Sequence, residues 1–276
     1  MQTGPPSQPT APDRPDVSRA PRADAALWAS GLTKRFGETV AVVSLDVQVP
    51  KGSFYGLVGP NGAGKTTTLR MATGLLRPDD GAVRVEGIDV WRDPVAAKRA
   101  IGVVPEDLRL FERLTGRELL TYNGLLRGMP PDVIDERTEE LLKVLDLTDA
   151  ERTLVIDYSH GMRKKIALAA ALLHAPRILF LDEPFEAIDP VSARRIRSVL
   201  ERHVRAGATV IFSSHVMELV ERLCDRVGVL HRGRLIADGP IDEIRRGQSL
   251  EDRFVELVGA SATPVDSLKW LESSSG

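Results

Sequence analysis

Eight consecutive residues, Gly59 to Thr66, have the types and spacing that could bind an anion. They follow the pattern G-x-x-x-x-G-K-[ST], which forms a phosphate-binding loop where a strand precedes it and a helix follows. The apolar run Phe54 to Val58 predicts that strand, and Thr66 to Ala72 predicts the first turns of that helix. A glycine-rich turn before an ordinary helix would not require the full pattern. The loop therefore predicts binding of a nucleoside triphosphate.

Each part of this loop has an expected task. Its glycines let successive backbone N–H groups point inward at phosphate, and the following helix adds unpaired N–H groups and its positive dipole end. Lys65 is expected to reach the β- and γ-phosphates, and the Thr66 hydroxyl to bind Mg²⁺. The residues expected to contact nucleotide along this stretch are Gly59, Pro60, Asn61, Gly62, Ala63, Gly64, Lys65, Thr66 and Thr67.

A second acidic element lies at the end of another apolar run, Leu179 to Leu181, which is followed by Asp182 and Glu183. Strand ends of an α/β sheet are where ligand-binding groups gather. Asp182 is therefore the expected Mg²⁺ partner, acting through water, and Glu183 could polarise an attacking water molecule. Standing alone, these acids could form a solvated turn. Beside a phosphate loop, the metal and base roles are favoured.

Composition limits the classes of function. The net charge of −2 gives no electrostatic reason to expect nucleic acid as a partner. The single cysteine, Cys224, cannot form an internal disulfide, which suits a reducing compartment. The longest apolar run, Ile166 to Leu173, is far shorter than the ~20 residues that span a bilayer. No apolar segment typical of a signal peptide lies near residue 1. We expect no direct membrane insertion.

The chain divides into a folded part between two polar tails. Residues 1–26 contain hardly any aliphatic side chains and predict a disordered tail, and residues 260–276 predict a second polar tail. The α/β domain is expected over 27–259, with a helical subdomain at about 107–173. The expected strands are Val40–Val43, Leu45–Val49, Phe54–Val58, Ala82–Glu86, Ile101–Val104, Arg177–Leu181, Thr209–Phe212, Arg226–Leu230 and Arg234–Ala237. The expected longer helices are Gly116–Leu126, Asp132–Leu147, Met162–Leu173 and Val191–Ala206, with short ones after Pro240 and Ser249.

The motifs and their order resemble the ATP-binding cassette family, the ATPase subunits of ABC transporters, over roughly Leu27 to Gly239. The matching positions are Gly59–Thr67 for the Walker A motif, Ile178–Asp182 for Walker B, Glu183 for the catalytic glutamate, Tyr158–Met162 for the family signature, Ile188–Pro190 for the D-loop and His215 for the switch histidine. Phe36 stands where the family stacks an aromatic ring on adenine.

The resemblance implies a P-loop core with a mixed β-sheet, an antiparallel β subdomain and a helical subdomain. It implies ATP and Mg²⁺ as cofactors, with Lys65, Glu183 and His215 catalytic. Each ATP of the family lies between Walker A of one subunit and the signature of another, so Ser159, Gly161 and Asp189 are expected to contact nucleotide in a head-to-tail homodimer. The other implied partner is a separately encoded transmembrane permease, which would hold the chain peripherally at the cytoplasmic face of the cell membrane.

Some positions depart from the family pattern. Glu106 stands at the family's glutamine position, where it is expected to bind the metal with Thr66 and Asp182. In the signature, His160 and Met162 replace the usual glycine and glutamine, and Glu186-Ala187 replaces the usual pair before the D-loop. The core catalytic set is intact, which favours a working ATPase. The Tyr-Ser-His-Gly-Met form and the segment 249–259 resemble exporter-type subunits, including those for antibiotics and other hydrophobic compounds.

Two other functions remain open from the sequence. One is a regulatory cassette that senses ATP with weak hydrolysis, which Glu106 and His160 would suit. The other is a soluble ABC-type protein acting on the ribosome or DNA. Its usual paired cassettes, long coiled coils or zinc-binding insertions have no counterpart in this sequence, which has one cassette, no heptad run and one cysteine.

Overall fold

The computed structural model describes residues 22–186 and 188–259. The first strand begins at Ala25, so the expected end of the disordered tail at residue 26 is wrong. Ala25 and Ala26 are 8% and 0% exposed, and Ala25 pairs with Pro50 of the neighbouring strand. These small side chains continue the buried face of the strand, although composition groups them with the tail. Residues 1–21 and the expected tail at 260–276 lie outside the described residues.

The elements alternate between strands and helices along most of the chain. The strands are β1 Ala25–Phe36, β2 Thr39–Pro50, β3 Phe54–Val58, β4 Asp80–Val85, β5 Ile88–Asp89, β6 Ile101–Val104, β7 Ile178–Asp182, β8 Thr209–Ser214, β9 Arg226–His231 and β10 Arg234–Pro240. The α-helices are α1 Lys65–Ala72, α2 Pro94–Ala100, α3 Gly116–Leu126, α4 Pro131–Val144, α5 His160–Leu172, α6 Pro190–Arg205, α7 Met217–Leu223, α8 Ile241–Arg245 and α9 Leu250–Val258. None of these helices is both long and apolar enough to cross a bilayer.

The central sheet has the strand order β10-β9-β3-β8-β7-β6, parallel throughout except for the antiparallel pair β9–β10. Every residue of β3, β7 and β8 is buried, as expected for strands covered by helices on both faces. Because these three neighbours are parallel, their carboxyl ends meet at one edge of the sheet. That edge carries the phosphate loop, Asp182 and the segment reaching His215.

A second, antiparallel sheet has the order β2-β1-β4-β5. The two strands expected at 40–43 and 45–49 are one strand, β2, with Ser44 in a left-handed conformation at φ 44° inside it. The long strand β1 was not predicted, because its pairing with β2 shifts register between Ala29 and Leu32 and breaks the period of two. Gly31, at φ 62°, lies at this irregularity.

The helices α3, α4 and α5 form the expected helical subdomain. Helix α3 has the predicted bounds because Thr115 and Glu118 form a reciprocal capping box at its start. Helix α5 begins two residues before the prediction because the Ser159 side chain accepts a hydrogen bond from the Met162 N–H, 3.2 Å, and caps it. Side chains of these helices share a hydrophobic core with Leu181 of the central sheet, among them Leu119, Leu120, Leu142 and Ile166.

Candidate functional site

The phosphate loop lies between β3 and α1, so its predicted strand–loop–helix context is confirmed. Gly64 is the N-cap of α1 at φ 104°, and a Cβ there would lie 2.5 Å from the Ala41 carbonyl oxygen. At Gly59 a Cβ would lie 2.1 Å from the Leu230 carbonyl oxygen. Only glycine fits these two positions without moving backbone. The neighbouring sheet and β9 therefore hold the loop in one conformation.

The Lys65 ammonium lies across the loop. Its Nζ donates to the carbonyl oxygens of Gly59 at 2.8 Å and Pro60 at 3.3 Å, and it lies 3.5 Å from Oε1 of Glu183. Lys65 is only 6% exposed. The fold therefore brings together a lysine and a glutamate that are more than a hundred positions apart in the sequence, with the ammonium facing the backbone of the loop.

Three oxygen-bearing side chains meet at the start of α1. The Thr66 hydroxyl lies 3.2 Å from Asp182 Oδ1 and 3.3 Å from Glu106 Oε2. In residues 22–186 and 188–259, no cluster of three or more His, Cys, Asp or Glu side chains could cage a metal. A hydroxyl with two carboxylates instead fits Mg²⁺, which takes one or two protein carboxylates and completes its shell with phosphate oxygens and water. The predicted trio is thus brought together by the fold.

Ser213 is a member of the site that the sequence prediction missed. Its buried hydroxyl donates to Asp182 Oδ1 at 2.5 Å and accepts from the Glu183 N–H at 3.0 Å. The register of the parallel pair β7–β8 sets Asp182 and Ser213 side by side. The available signal was a serine at the end of an apolar run. Its significance depends on which strand lies next to β7, which is not a local property of the sequence.

Glu183 has its carboxylate between two basic side chains. Oε2 lies 3.1 Å from His215 Nδ1, and Oε1 faces Lys65. The backbone of Glu183 is left-handed, φ 47°, a conformation that costs a non-glycine residue about 1–2 kcal/mol. This carboxylate can orient or take a proton from a water molecule, and the strained turn fixes where it does so.

Lys164 is the second residue that the sequence prediction missed. Its Nζ donates to the backbone carbonyl oxygens of Glu183 at 3.0 Å and Glu186 at 2.5 Å. Burial lowers the pKa of Lys164, and the nearby carboxylates of Glu186, Glu183 and Glu106 oppose that shift. The only signal in the sequence was a lysine on the predicted helix, with nothing to indicate which backbone it contacts.

The remaining predicted site residues lie apart from this cluster. Phe36 is 51% exposed at the end of β1, with the Lys34 ammonium 5.8 Å from its ring centroid. Asp189 caps α6 by accepting from the N–H groups of Val191 and Ser192, and the hydrogen bonds from Ser192 lower the pKa of its carboxyl. Across the described ranges, no hydrogen bond or ion pair links Phe36, Ser159, Gly161 or Asp189 to the Lys65–Glu183 cluster.

A groove of about 1000 Å³ opens between the central sheet and the helical subdomain. Its apolar wall includes Leu75, Val95, Phe111 and Leu126, and its basic residues are Lys98, Arg99, Arg109 and Arg127. Within the part of the chain that the structure describes, none of these four cations forms an ion pair. Burial lowers the pKa of Arg127, and burial with the nearby Arg127 charge lowers the pKa of His174 in the same groove to about 4.

Known proteins resemble this chain over most of its length. A family model described as ABC transporter matches residues 42–186. The daunorubicin resistance ATP-binding protein DrrA3 of Streptomyces coeruleorubidus is 40% identical over 223 residues, covering 81% of this chain and 71% of that protein. The bacitracin transport ATP-binding protein BcrA of Enterococcus faecalis is 38% identical over 244 residues, covering 88% and 77%.

Among solved structures, an ATP-binding subunit of an ABC transporter matches with a TM-score of 0.80 and 30% identity, covering 84% of this chain and 99% of that one. Its similarity confirms the expected architecture of a mixed central sheet, an antiparallel sheet and a helical subdomain. The phosphate loop, the two acids Asp182 and Glu183 at the end of β7 and the names of the relatives all indicate that the ligand is a nucleotide. The chain belongs to the ABC transporter family and is the ATP-binding, ATP-hydrolysing subunit of a transporter.

Proposed function

We propose that this chain hydrolyses MgATP in a dimer of cassettes and thereby powers export of a hydrophobic, antibiotic-like compound through a separate membrane permease. The observation that carries the proposal is the contact network at one sheet edge. The Glu183 carboxylate lies 3.5 Å from Lys65 Nζ and 3.1 Å from His215 Nδ1. Beside it lie the oxygen-bearing side chains of Thr66, Asp182 and Glu106. Two relatives are named for daunorubicin resistance and bacitracin transport, which supports this class of compound.

The roles at the site follow from charge and reach. Lys65 and the loop N–H groups bind the β- and γ-phosphates, and Phe36 offers its exposed ring to adenine. Thr66, Asp182 and Glu106 are the residues that would hold Mg²⁺, with Ser213 fixing the orientation of Asp182. When bound, Mg²⁺ neutralises phosphate charge.

Glu183 orients the attacking water and takes up its proton. His215, whose Nδ1 lies 3.1 Å from the Glu183 carboxylate, would contact the γ-phosphate. Placing the water in line with the phosphorus is the main catalytic task, since phosphoryl transfer depends on positioning and electrostatics more than on covalent chemistry. The buried setting of Lys65 and Glu183 strengthens these charge interactions.

A second cassette completes the site in this proposal. Ser159 and Gly161 lie at the start of α5, without a hydrogen bond to the chain's own Lys65–Glu183 cluster in the described residues. The same holds for Asp189, at the start of α6. In a head-to-tail homodimer these helix starts would meet the nucleotide held by the other copy, where helix N-termini favour anions.

The groove between the central sheet and the helical subdomain is the proposed permease contact. It combines exposed apolar side chains, such as Leu126 at 67% and Phe111 at 55%, with four cations that lack a carboxylate partner in the described chain. A membrane protein that docks a cytoplasmic segment here would hold the chain peripherally at the cytoplasmic face. Nucleic acid has no role in this proposal.

The test is recovery of the partner from native membranes in detergent with tagged protein. Wild-type protein is expected to bring down a membrane protein with several apolar spans of ~20 residues. Arg127→Glu, which reverses a charge in the groove, is expected to lose most of it. Arg152→Glu, at a residue outside the groove whose side chain is 92% exposed, is the control and should retain it. Recovery of no such membrane protein by the wild type contradicts the proposal.

A further inference from the structure

Lys164 is a buried cation that neither the motifs nor the established activity uses. It lies on α5, five residues after the N-cap Ser159, and is 6% exposed. No carboxylate lies within ion-pair distance of its Nζ among the described residues. Its ammonium instead donates to two backbone carbonyl oxygens, those of Glu183 and Glu186. Burying a charge is unfavourable unless it is well hydrogen-bonded, so the Lys164 ammonium is stable here only while it keeps its bonds to the turn of residues 183–186.

That turn carries the carboxylate of the active site. It follows β7, and Glu183 begins it with φ 47°. The turn's own backbone bond, from the Glu186 N–H to the Glu183 carbonyl oxygen, is long at 3.3 Å. A left-handed glutamate persists only where its surroundings determine the backbone. Ser213 holds the N–H side of Glu183 and Lys164 holds its carbonyl side.

Holding both the N–H and the carbonyl oxygen of Glu183 fixes its backbone conformation and thereby the direction of its side chain. The carboxylate reaches His215 Nδ1 at 3.1 Å and Lys65 Nζ at 3.5 Å from this backbone conformation. A relaxed turn would release the side chain from one or both contacts. Since a displacement of about 1 Å can slow a reaction on the order of a hundredfold, this turn is a sensitive point for hydrolysis.

We propose that Lys164 is a positioning residue for ATP hydrolysis, which ties the Glu183–Glu186 turn to the helix that begins at the signature serine, Ser159. Within one cassette, Lys164 links the start of α5, which would meet a second copy, to the Glu183 carboxylate, which acts on the ATP bound by the same cassette. A shift of α5 upon dimer contact would therefore reach Glu183 through one side chain. This last consequence rests on the proposed dimer, whereas the positioning role rests only on hydrolysis at this site.

The neighbouring lysine offers a matched control. Lys165 lies on the same turn of α5 and is also 6% exposed, but it makes no hydrogen bond to the Glu183–Glu186 turn. Lys165→Met removes a buried ammonium from the same helix without touching that turn. A general effect of losing a buried lysine would appear in both variants, and a positioning effect only in Lys164→Met.

The experiment measures steady-state phosphate release and the affinity for a non-hydrolysable ATP analogue with Mg²⁺. Lys164→Met is expected to lower kcat roughly ten- to hundredfold and to change analogue affinity by less than about twofold. Lys165→Met is expected to keep kcat within about twofold of wild type. Unchanged kcat in Lys164→Met, or equal losses of kcat and affinity, overturns the proposal. If the methionine variant does not fold, Lys164→Gln gives the same readout, because its shorter amide cannot span both carbonyls.

A double variant tests whether Lys164 acts through Glu183. In the Glu183→Gln background, Lys164→Met is expected to slow hydrolysis by less than about twofold further, because residues that act as a unit are not additive. A further loss of about tenfold overturns the positioning role. Wild-type protein without turnover would contradict the proposed function, whereas turnover insensitive to Lys164→Met contradicts this inference alone.

Discussion

At the scale of single residues, the site is a set of charges held by backbone. Lys65 donates hydrogen bonds to two carbonyl oxygens of the loop. Glu183 has a left-handed backbone conformation that places its carboxylate beside His215. Asp182 is oriented by Ser213 rather than by another charge. Substitutions here are therefore expected to act on nucleotide binding or on hydrolysis, according to which group they remove.

Removal of the loop lysine is expected to abolish tight nucleotide binding. Lys65→Ala should weaken ATP affinity roughly ten- to hundredfold, because a charge-assisted hydrogen bond is lost and Glu183 is left facing phosphate without its neighbouring cation. Titration with a fluorescent ATP analogue measures this. Lys51→Ala, at a half-exposed lysine paired with Glu86, is the control. Equal affinities for Lys65→Ala and wild type would refute the phosphate-binding role.

The carboxylate at Glu106 is expected to make ATP binding depend strongly on Mg²⁺. It lies 3.3 Å from the Thr66 hydroxyl. There its negative charge can bind Mg²⁺ but repels a triphosphate that carries no metal. Glu106→Gln should therefore bind ATP better than wild type without Mg²⁺, with a narrower gap between the two conditions. Titrations of both proteins with and without Mg²⁺ decide the matter. The same Mg²⁺ dependence in both would remove Glu106 from the metal site.

At the scale of elements, three parallel strands bring the chemistry to one sheet edge, and the helical subdomain forms the groove. Local signals predicted several of these elements well. Helix α3 has a capping box and helical spacing within its own residues, so its bounds could be read directly. Strand β1 could not, because the register shift near Gly31 interrupts its alternation.

The same distinction holds for the site. The phosphate loop and the acids at the end of β7 are contiguous motifs, so the sequence alone could indicate Lys65, Asp182 and Glu183. Ser213 and Lys164 were not, because their contacts depend on the pairing of β7 with β8 and on where α5 lies. Contacts from side chain to distant backbone have no fixed spacing in the sequence.

Stability is expected to fall in mild acid through His174, just after α5. Burial lowers its pKa from 6.5 to about 4. Between these pH values the unfolded chain therefore binds a proton at this histidine and the folded chain does not. The contribution of the neutral His174 to the free energy of unfolding is complete above about pH 6.5 and is lost as the pH falls toward 4. His174→Gln should remove about 1 kcal/mol of the stability difference between pH 7 and pH 5, discounted for partial exposure. Urea unfolding at both values checks this, and an unchanged difference would contradict it.

At the scale of the whole molecule, the cassette is one subunit of a transporter. In the proposed function, nucleotide contacts are divided between the sheet edge of one copy and the starts of α5 and α6 of another, and the groove receives the permease. On that proposal, one chain both binds ATP and passes the effect of its hydrolysis to the permease. The central sheet and the helical subdomain share one hydrophobic core, so a displacement of either is expected to displace the other.

Membrane attachment is expected to require the permease. Expressed without it, the protein should remain in the supernatant after membranes are sedimented, because in the proposed function it is held at the membrane through the permease that docks in the groove. Co-expressed with its permease, it should sediment with membranes, and Arg127→Glu should return it to the supernatant. Immunoblots of the two fractions measure the distribution. Tight sedimentation with lipid in cells that lack any permease would contradict the proposal.

The central claim is that this cassette hydrolyses ATP with Glu183 and does not merely sense it. The most direct measurement is phosphate release by wild type and Glu183→Gln, with the exposed Glu139→Gln as control, alongside ATP affinity and the dimer fraction in ATP. Glu183→Gln is expected to slow hydrolysis at least about a hundredfold, while it still binds ATP and accumulates as an ATP-bound dimer. Turnover equal to that of wild type, or no turnover by either protein, would contradict the account.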